Sequence, residues 1–154
     1  MLENARGRFE GRKNVDVRTE DCYCTSFDDG SFDAILIANV LHIVDSPDEV
    51  MKEAFRVLKP GGNAVVVDYT GCGMSLFPML ALAFRYIRRW GWPPSSGKPL
   101  GPKELAALAE GAGFVVEESV LLGRKTKAAC MRARKVSLSS TERGRVAQEG
   151  ARQG

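Results

Sequence analysis

The chain has 154 residues, of which 44% are hydrophobic and 27% are charged, and its formal net charge at pH 7 is +3. This length predicts one compact domain with a hydrophobic core, and the small net charge does not favour a nucleic-acid-binding protein. The sequence contains neither a run of about 18 apolar residues nor a charged leader followed by an apolar segment. It therefore predicts no membrane-spanning helix and no secretory signal, and we expect a cytoplasmic protein.

The amino-terminal residues carry little that can be buried. Residues 1–13 are charged and punctuated by glycine, with Leu2 and Phe9 as the side chains to bury, so they predict at most a short helix. Residues 15–19 alternate between apolar and polar side chains, which is the pattern of a half-buried strand. We expect this strand to lie parallel to the strands that follow it.

The central stretch has the pattern of a strand, a loop, a capped helix and a second strand. The apolar run at residues 35–38 has strand length, and its lack of alternation is typical of a strand covered on both faces. Ser46, Pro47 and Glu49 predict the N-cap, first position and capping box of a helix. The helix is expected to end at residues 59–62, before a second apolar strand at 64–67. This unit predicts parallel strands joined by a right-handed crossover.

These residues carry a family resemblance. The turn FDDGSFD at residues 27–33, the pair Leu41 and His42, and the helix end RVLKPGG at residues 56–62 together resemble the class I S-adenosylmethionine-dependent methyltransferases of the small-molecule type. The resemblance covers roughly residues 15–135. It implies an α/β fold with a Rossmann-like, doubly wound and mostly parallel sheet, closed by a carboxyl-terminal antiparallel hairpin. The cofactor, S-adenosyl-L-methionine, would lie across the carboxyl ends of the strands.

The resemblance assigns cofactor contacts to three residues. In this family an acidic residue six positions before the turn phenylalanine accepts a hydrogen bond from the adenine amino group, and here that residue is Asp21. The backbone N–H of Cys22 is expected near the adenine ring. Asn39, just past the first strand of the unit, is expected near the methionine part of the cofactor. The competing interpretation of Asp21 is a turn or helix-capping aspartate.

His42 is the single histidine of the chain. A histidine can serve as general base for an acidic substrate hydroxyl, because imidazole titrates near working pH. The alternative is a packed, hydrogen-bonded structural histidine. We therefore assign no catalytic residue from the sequence.

The four cysteines do not predict a metal site. A structural zinc site usually shows closely spaced cysteine pairs at both ends, whereas only Cys22 and Cys24 are close here, with Cys72 and Cys130 far apart. Reduced thiols of an intracellular protein are the favoured interpretation.

Two features follow the second strand. Gly71 and Gly73 resemble the start of a dinucleotide-binding loop, but Leu76 stands where that motif needs a third glycine, which disfavours an NAD-dependent oxidoreductase. Residues 76–90 predict a helix, apolar over three turns and basic at its end. Three interpretations of it stay open: a lid over an apolar substrate pocket, a plain core helix, or contact with a membrane surface through residues 76–92.

The carboxyl-terminal part returns to regular structure. Pro102 predicts a helix start, and residues 111–113 its end. Residues 114–122 and 128–136 predict an antiparallel pair of strands. Residues 137–154 predict a disordered basic tail, which leaves residues 1–136 as a partial methyltransferase domain.

The resembled family also has motifs that this sequence lacks. Its glycine-rich turn after the first strand and the acidic residue ending its second strand have no counterpart in residues 1–13. We therefore expect an amino-terminally truncated domain, with an open sheet edge beside residues 35–38 that is available for self-association. The leading functional hypothesis is a methyltransferase for a small, apolar, lipid-like acceptor, inactive alone if truncated. The alternative is a non-catalytic remnant or isoform that acts by protein association.

Overall fold

The structure is a computed structural model that describes residues 2–70, 72, 76–91, 100–123 and 127–136. The predicted loop glycines Gly71 and Gly73, and the predicted tail at residues 137–154, lie outside the described residues. The elements in chain order are α1 (Leu2–Phe9), β1 (Phe32–Ala38), α2 (Pro47–Val57), β2 (Leu58–Thr70), α3 (Leu76–Trp90), α4 (Pro102–Gly111), β3 (Val115–Leu122) and β4 (Lys127–Arg134).

The four described strands form one sheet in the order β1-β2-β4-β3. β1 and β2 are parallel, with Ile35 opposite Ala64 and Ile37 opposite Val66. β4 runs antiparallel to both β2 and β3, so β1, β2 and β3 all point the same way. The predicted α/β class, the mostly parallel sheet and the terminal hairpin are confirmed.

The predicted strand at residues 15–19 is wrong. These residues form no strand, and Val15 is exposed. A strand needs a neighbour for its backbone hydrogen bonds, and residues 15–19 pair with none of the four described strands, although one edge of β1 is free. Alternation of apolar and polar side chains alone was therefore not enough to form a strand.

The helix α2 begins where the sequence predicts but ends at Val57, before the predicted residues 59–62. Ser46 is the N-cap and Pro47 the first helical residue, although the Ser46 side chain makes no capping hydrogen bond. β2 then starts at Leu58, so residues expected to be a helix exit belong to a strand of 13 residues instead of the predicted 64–67. Lys135, directly after β4, connects this junction to the neighbouring strand, because its Nζ donates to the carbonyls of Phe55 and Leu58 at 2.7 and 2.8 Å.

The core lies between the sheet and the helices α2 and α4, which contact each other on one face. Met51 and Ala54 of α2 and Leu105 and Ala109 of α4 pack there on small and branched side chains of the sheet. The buried strand residues are Ile37, Ala64, Val66, Ala129, Met131 and Ala133. The buried apolar residues of α2 and α4 recur at spacings of three and four positions, so they form one face of each helix.

β1 is an edge strand of the described sheet, as expected from the sequence. It hydrogen-bonds to β2 on one side. Leu36, on the sheet face away from α2, is 66% exposed. Among the described residues, no helix is both long and apolar enough to cross a bilayer.

Candidate cofactor and substrate site

The carboxyl ends of β1 and β2 lie side by side, and polar residues follow both. Asn39 comes directly after β1 and has a backbone φ of +57°, in the left-handed region that few side chains favour. Its N–H donates to the carbonyl of Val67 at 2.9 Å, which fixes this conformation to the neighbouring strand. A strained, exposed asparagine at the carboxyl end of a parallel strand is typical of a ligand-contacting position.

Asp21 and Cys22 lie in a tight turn. One carboxylate oxygen of Asp21 accepts the backbone N–H of Tyr23 at 2.9 Å, and the Asp21 carbonyl accepts the N–H of Cys24 at 3.2 Å. The side chain of Asp21 therefore acts as a turn aspartate, as one interpretation of the sequence predicted. Within the described part of the chain its second oxygen accepts no hydrogen bond, so it keeps an exposed acceptor.

A groove of about 510 Å³ runs along the outer side of β1. Cys22, Phe27 and Val40 line it together with most of β1 and with Val50 and Ala54 of α2. Cys22 and Val40, which is the neighbour of Asn39, thus border the same groove. The structure brings the predicted adenine and methionine segments to one apolar depression, while Asp21 and Asn39 themselves lie exposed beside it.

His42 is held by an aspartate that the sequence analysis did not single out. Asp68, near the end of β2, is fully buried and accepts the backbone N–H of His42 at 2.9 Å. Its other oxygen accepts a hydrogen bond from Nδ1 of the His42 ring. A carboxylate can only accept, so Nδ1 carries a proton, and in a neutral imidazole Nε2 is then the nitrogen that can accept one. The His42 side chain is 30% exposed. The arrangement can position a neutral imidazole to accept a proton.

The turn that carries Asp21 and Cys22 is fastened to α2. The Tyr23 hydroxyl accepts the backbone N–H of Asp45 at 3.1 Å, just before the helix begins. Further along, Glu53 of α2 accepts both the N–H and the hydroxyl of Thr25, at 2.8 and 2.6 Å. These bonds replace the strand pairing that the segment lacks.

Glu53 is also paired with a cation. Arg56 donates from Nε and Nη2 to the two Glu53 oxygens at 2.8 and 2.7 Å, and from Nη2 to the carbonyl of Phe27 at 2.8 Å. These hydrogen bonds from Arg56, followed by those from Thr25, lower the pKa of the buried Glu53 carboxyl to about 2. The i, i+3 spacing of Glu53 and Arg56 is visible in the sequence, but their contact with residues 25–27 is not.

The cysteines are free thiols. Among the described residues, no group of three or more histidine, cysteine, aspartate or glutamate side chains is arranged to hold a metal ion. Cys22 and Cys130 are half-buried, and Cys24 and Cys72 are exposed.

The helix at residues 76–90 is confirmed as α3, but the lid interpretation does not hold. Phe77 is 86% exposed and Phe84 is 66% exposed. A helix that covered the strand ends would bury such side chains.

Comparisons with known proteins show which family the chain resembles. The family described as "Methyltransferase domain" matches residues 1–66. The chain is 37% identical over 87 residues to the ubiquinone/menaquinone biosynthesis C-methyltransferase UbiE of Desulfotalea psychrophila, covering 56% of this chain and 35% of that protein. It is 30% identical over 136 residues to a demethylmenaquinone methyltransferase of Lactococcus lactis, covering 77% and 53%. Residues 1–66 of the chain thus resemble the methyltransferase family in sequence.

Solved structures show the same fold. The trans-methyltransferase CalH, in complex with SAH, has a TM-score of 0.68 at 24% identity, covering 87% of this chain and 39% of that one. A methyltransferase from Bacillus halodurans has a TM-score of 0.63 at 19% identity, covering 88% and 79%. The chain spans about a third to a half of the length of the two curated relatives described above.

Proposed function

We propose that the chain is part of an S-adenosylmethionine-dependent methyltransferase that acts on a small, apolar acceptor. The observation that carries the proposal is the placement of Asn39 and of the His42–Asp68 pair at the adjoining carboxyl ends of two parallel strands. Open α/β sheets bind their ligands at such an edge. The curated relatives named for quinone methylation support an apolar acceptor.

The residues present fit the adenine side of the cofactor. Asp21 offers an exposed carboxylate oxygen to the adenine amino group, and Cys22 borders the apolar groove where a ring can be covered. Asn39 would hold the methionine part, largely through its backbone. When bound, S-adenosylmethionine supplies an electrophilic methyl group on a sulfonium. The chain's own residues bind and orient it and exclude water from its surroundings.

His42 would take up the acceptor's proton. Bound S-adenosylmethionine would supply the methyl group and retain the electron pair of the S–C bond on its sulfur, and Nε2 of His42 would accept the proton that the acceptor loses. The imidazolium that results is neutralised by Asp68 across the Nδ1 hydrogen bond and later releases its proton to solvent. Asp68 is thus a positioning residue for the proposed base.

Cofactor binding tests the proposal before any acceptor is known. In saturation-transfer NMR with S-adenosylmethionine, we expect transfer to the adenine protons, reduced in Asp21→Asn and unchanged in the matched exposed-carboxylate control Asp28→Asn. The absence of transfer, or equal transfer in Asp21→Asn, would refute the assigned adenine contact.

An activity assay tests the proposed base. Transfer of a labelled methyl group to a quinol should fall at least tenfold in His42→Gln.

A second candidate function is protein association through β1. The edge of β1 away from β2 is unpaired among the described strands, and the groove beside it is lined mostly by apolar side chains. Unpaired edges are templates for strand addition. We infer that, if the chain does not bind cofactor, this edge pairs with a second copy.

Sedimentation velocity distinguishes the two functions. Leu36→Lys places a charge beside the open edge of β1 at a position already 66% exposed, so it should convert dimer to monomer without unfolding the chain. Leu122→Lys is the matched control, because Leu122 is 54% exposed on the edge strand at the other end of the sheet. A monomeric wild-type chain, or a dimer that survives Leu36→Lys, would eliminate association through β1.

A further inference from the structure

The helix α3 presents a continuous apolar stripe to solvent. Phe77, Leu80, Phe84 and Ile87 follow one another at helical spacings of three and four residues, so they lie on one side of the helix. They are 86, 58, 66 and 38% exposed. Soluble proteins seldom leave so large a contiguous apolar surface uncovered, and where they do it is usually an interaction site.

The charges of α3 lie at the border of this stripe. The helix contains no acidic residue, and its basic residues fall in the last two turns. At about 100° per residue, Arg88 lies about 60° and Arg85 about 120° from the middle of the stripe. Both arginines are exposed. The helix therefore has an apolar side flanked by positive charge.

This combination identifies the chemistry of the partner. An acidic protein surface would match the arginines but would offer little to two phenylalanines that are 86 and 66% exposed. A bilayer surface matches both features, because acyl chains accept the apolar stripe and anionic headgroups accept the guanidinium groups. A helix of 15 residues is about 22 Å long, too short to cross a hydrocarbon core of about 30 Å, so it would lie in the plane of the interface.

We propose that α3 docks on the surface of an anionic lipid bilayer. Its stripe of Phe77, Leu80, Phe84 and Ile87 enters the boundary between headgroups and acyl chains, and Arg85 and Arg88 pair with headgroup phosphates. This surface uses none of the residues assigned to the cofactor or to proton transfer. The docking and the proposed methyl transfer can therefore fail independently of each other.

Vesicle co-sedimentation of the full chain tests the proposal. The two probes are vesicles of phosphatidylcholine alone and vesicles of phosphatidylcholine with phosphatidylglycerol. We expect at least tenfold stronger binding to the anionic vesicles, weakened by added salt. Because the chain's two tryptophans are Trp90 and Trp92, a blue shift of tryptophan fluorescence on vesicle addition gives a second readout local to this helix.

Two double variants separate the electrostatic and apolar contributions. Arg85→Gln with Arg88→Gln should weaken binding to anionic vesicles about twentyfold, since each arginine near such a surface contributes about fivefold. Phe77→Ser with Phe84→Ser should weaken it at least tenfold on both kinds of vesicle. All four residues are exposed, so far-UV circular dichroism should show an unchanged fold.

Matched controls lie on and just after α1. Arg8→Gln with Arg12→Gln removes the same charge from exposed positions away from α3, and Phe9→Ser removes a 42% exposed phenylalanine; neither should change binding more than twofold. Failure of the wild-type chain to bind anionic vesicles overturns the proposal. So does binding that the α3 variants and the controls weaken equally. An oligomer that dissociates in the phenylalanine variant, without vesicle binding, would show instead that α3 is a protein interface.

Discussion

A single substitution at Glu53 should weaken the attachment of residues 21–27, the segment proposed to contact the adenine of the cofactor (the cofactor segment), to α2. Its carboxylate accepts four hydrogen bonds, two from Thr25 and two from Arg56, while the residue is only 8% exposed. In Glu53→Gln one carboxylate oxygen becomes an amide NH₂, which faces the Arg56 or Thr25 donors and cannot accept from them. The substitution therefore weakens the link between α2 and residues 25–27 and removes one of the two carboxylates that pair with Arg56, leaving Asp29 as the other.

The pKa of Glu53 gives the size of the effect. Hydrogen bonds from Arg56 lower it from 4.5 to about 2. Since each pKa unit corresponds to about 1.4 kcal/mol, ionised Glu53 contributes about 3 kcal/mol to the free energy of unfolding. Because the folded-state pKa is the lower one, this contribution is complete above pH 4.5 and is lost as the pH falls towards 2.

Urea unfolding followed by far-UV circular dichroism at a series of pH values checks this. We expect Glu53→Gln to lower the free energy of unfolding at pH 7 by about 3 kcal/mol and to flatten its decline between pH 4.5 and 2. Glu10→Gln, an exposed glutamate just past α1, is the control and should behave as wild type. Parallel pH profiles for wild type and Glu53→Gln over that interval would disprove the reasoning.

Three further predictions concern Gly62, His42 and the affinity for the cofactor. Gly62→Ala should lower the free energy of urea unfolding by roughly 1–3 kcal/mol, because the new Cβ would lie 2.8 Å from the Asp33 carbonyl oxygen. The control is Gly7→Ala in α1, which has open space around it and should be neutral or stabilising. His42→Ala should cost about 1–3 kcal/mol in the same assay, since it takes the ring donor from the buried Asp68. We expect the chain to bind S-adenosylmethionine only in the millimolar range by calorimetric titration. The sequence shows no counterpart of the acidic residue that the resembled family uses for the ribose hydroxyls, and loss of two such hydrogen bonds weakens affinity by roughly two to four orders of magnitude.

The sequence predicts the elements of this fold wherever a local signal sets them. Pro47 and Pro102 mark helix starts that the structure places at those residues. The antiparallel pairing of β3 with β4 also follows from two apolar runs separated by a short polar stretch. These features are determined by a few neighbouring residues, through turn-forming side chains and the periodicity of apolar residues.

Contacts between distant segments were not predictable in the same way. The alternation at residues 15–19 predicts a strand, but whether a strand forms depends on a neighbour that no local pattern reports. Asp68 closes an apolar run and gives no sign that it reaches His42, 26 residues away. The contact between the candidate general base His42 and Asp68 therefore becomes visible only in the structure, where β1 and β2 lie side by side.

The position of the cofactor segment depends on α2 more than on the sheet. Residues 20–27 contribute no strand, and Tyr23 and Thr25 instead bond to the start and the middle of α2. Asn39, in contrast, is bonded to β2. The two halves of the proposed site are thus held by different elements, the adenine side by α2 and the methionine side by β2.

A change in α2 such as Glu53→Gln should shift the adenine side while leaving Asn39 in place. Hydrogen exchange should then rise at residues 21–27 before it rises in β1, because side-chain bonds to one helix open more easily than a strand pairing.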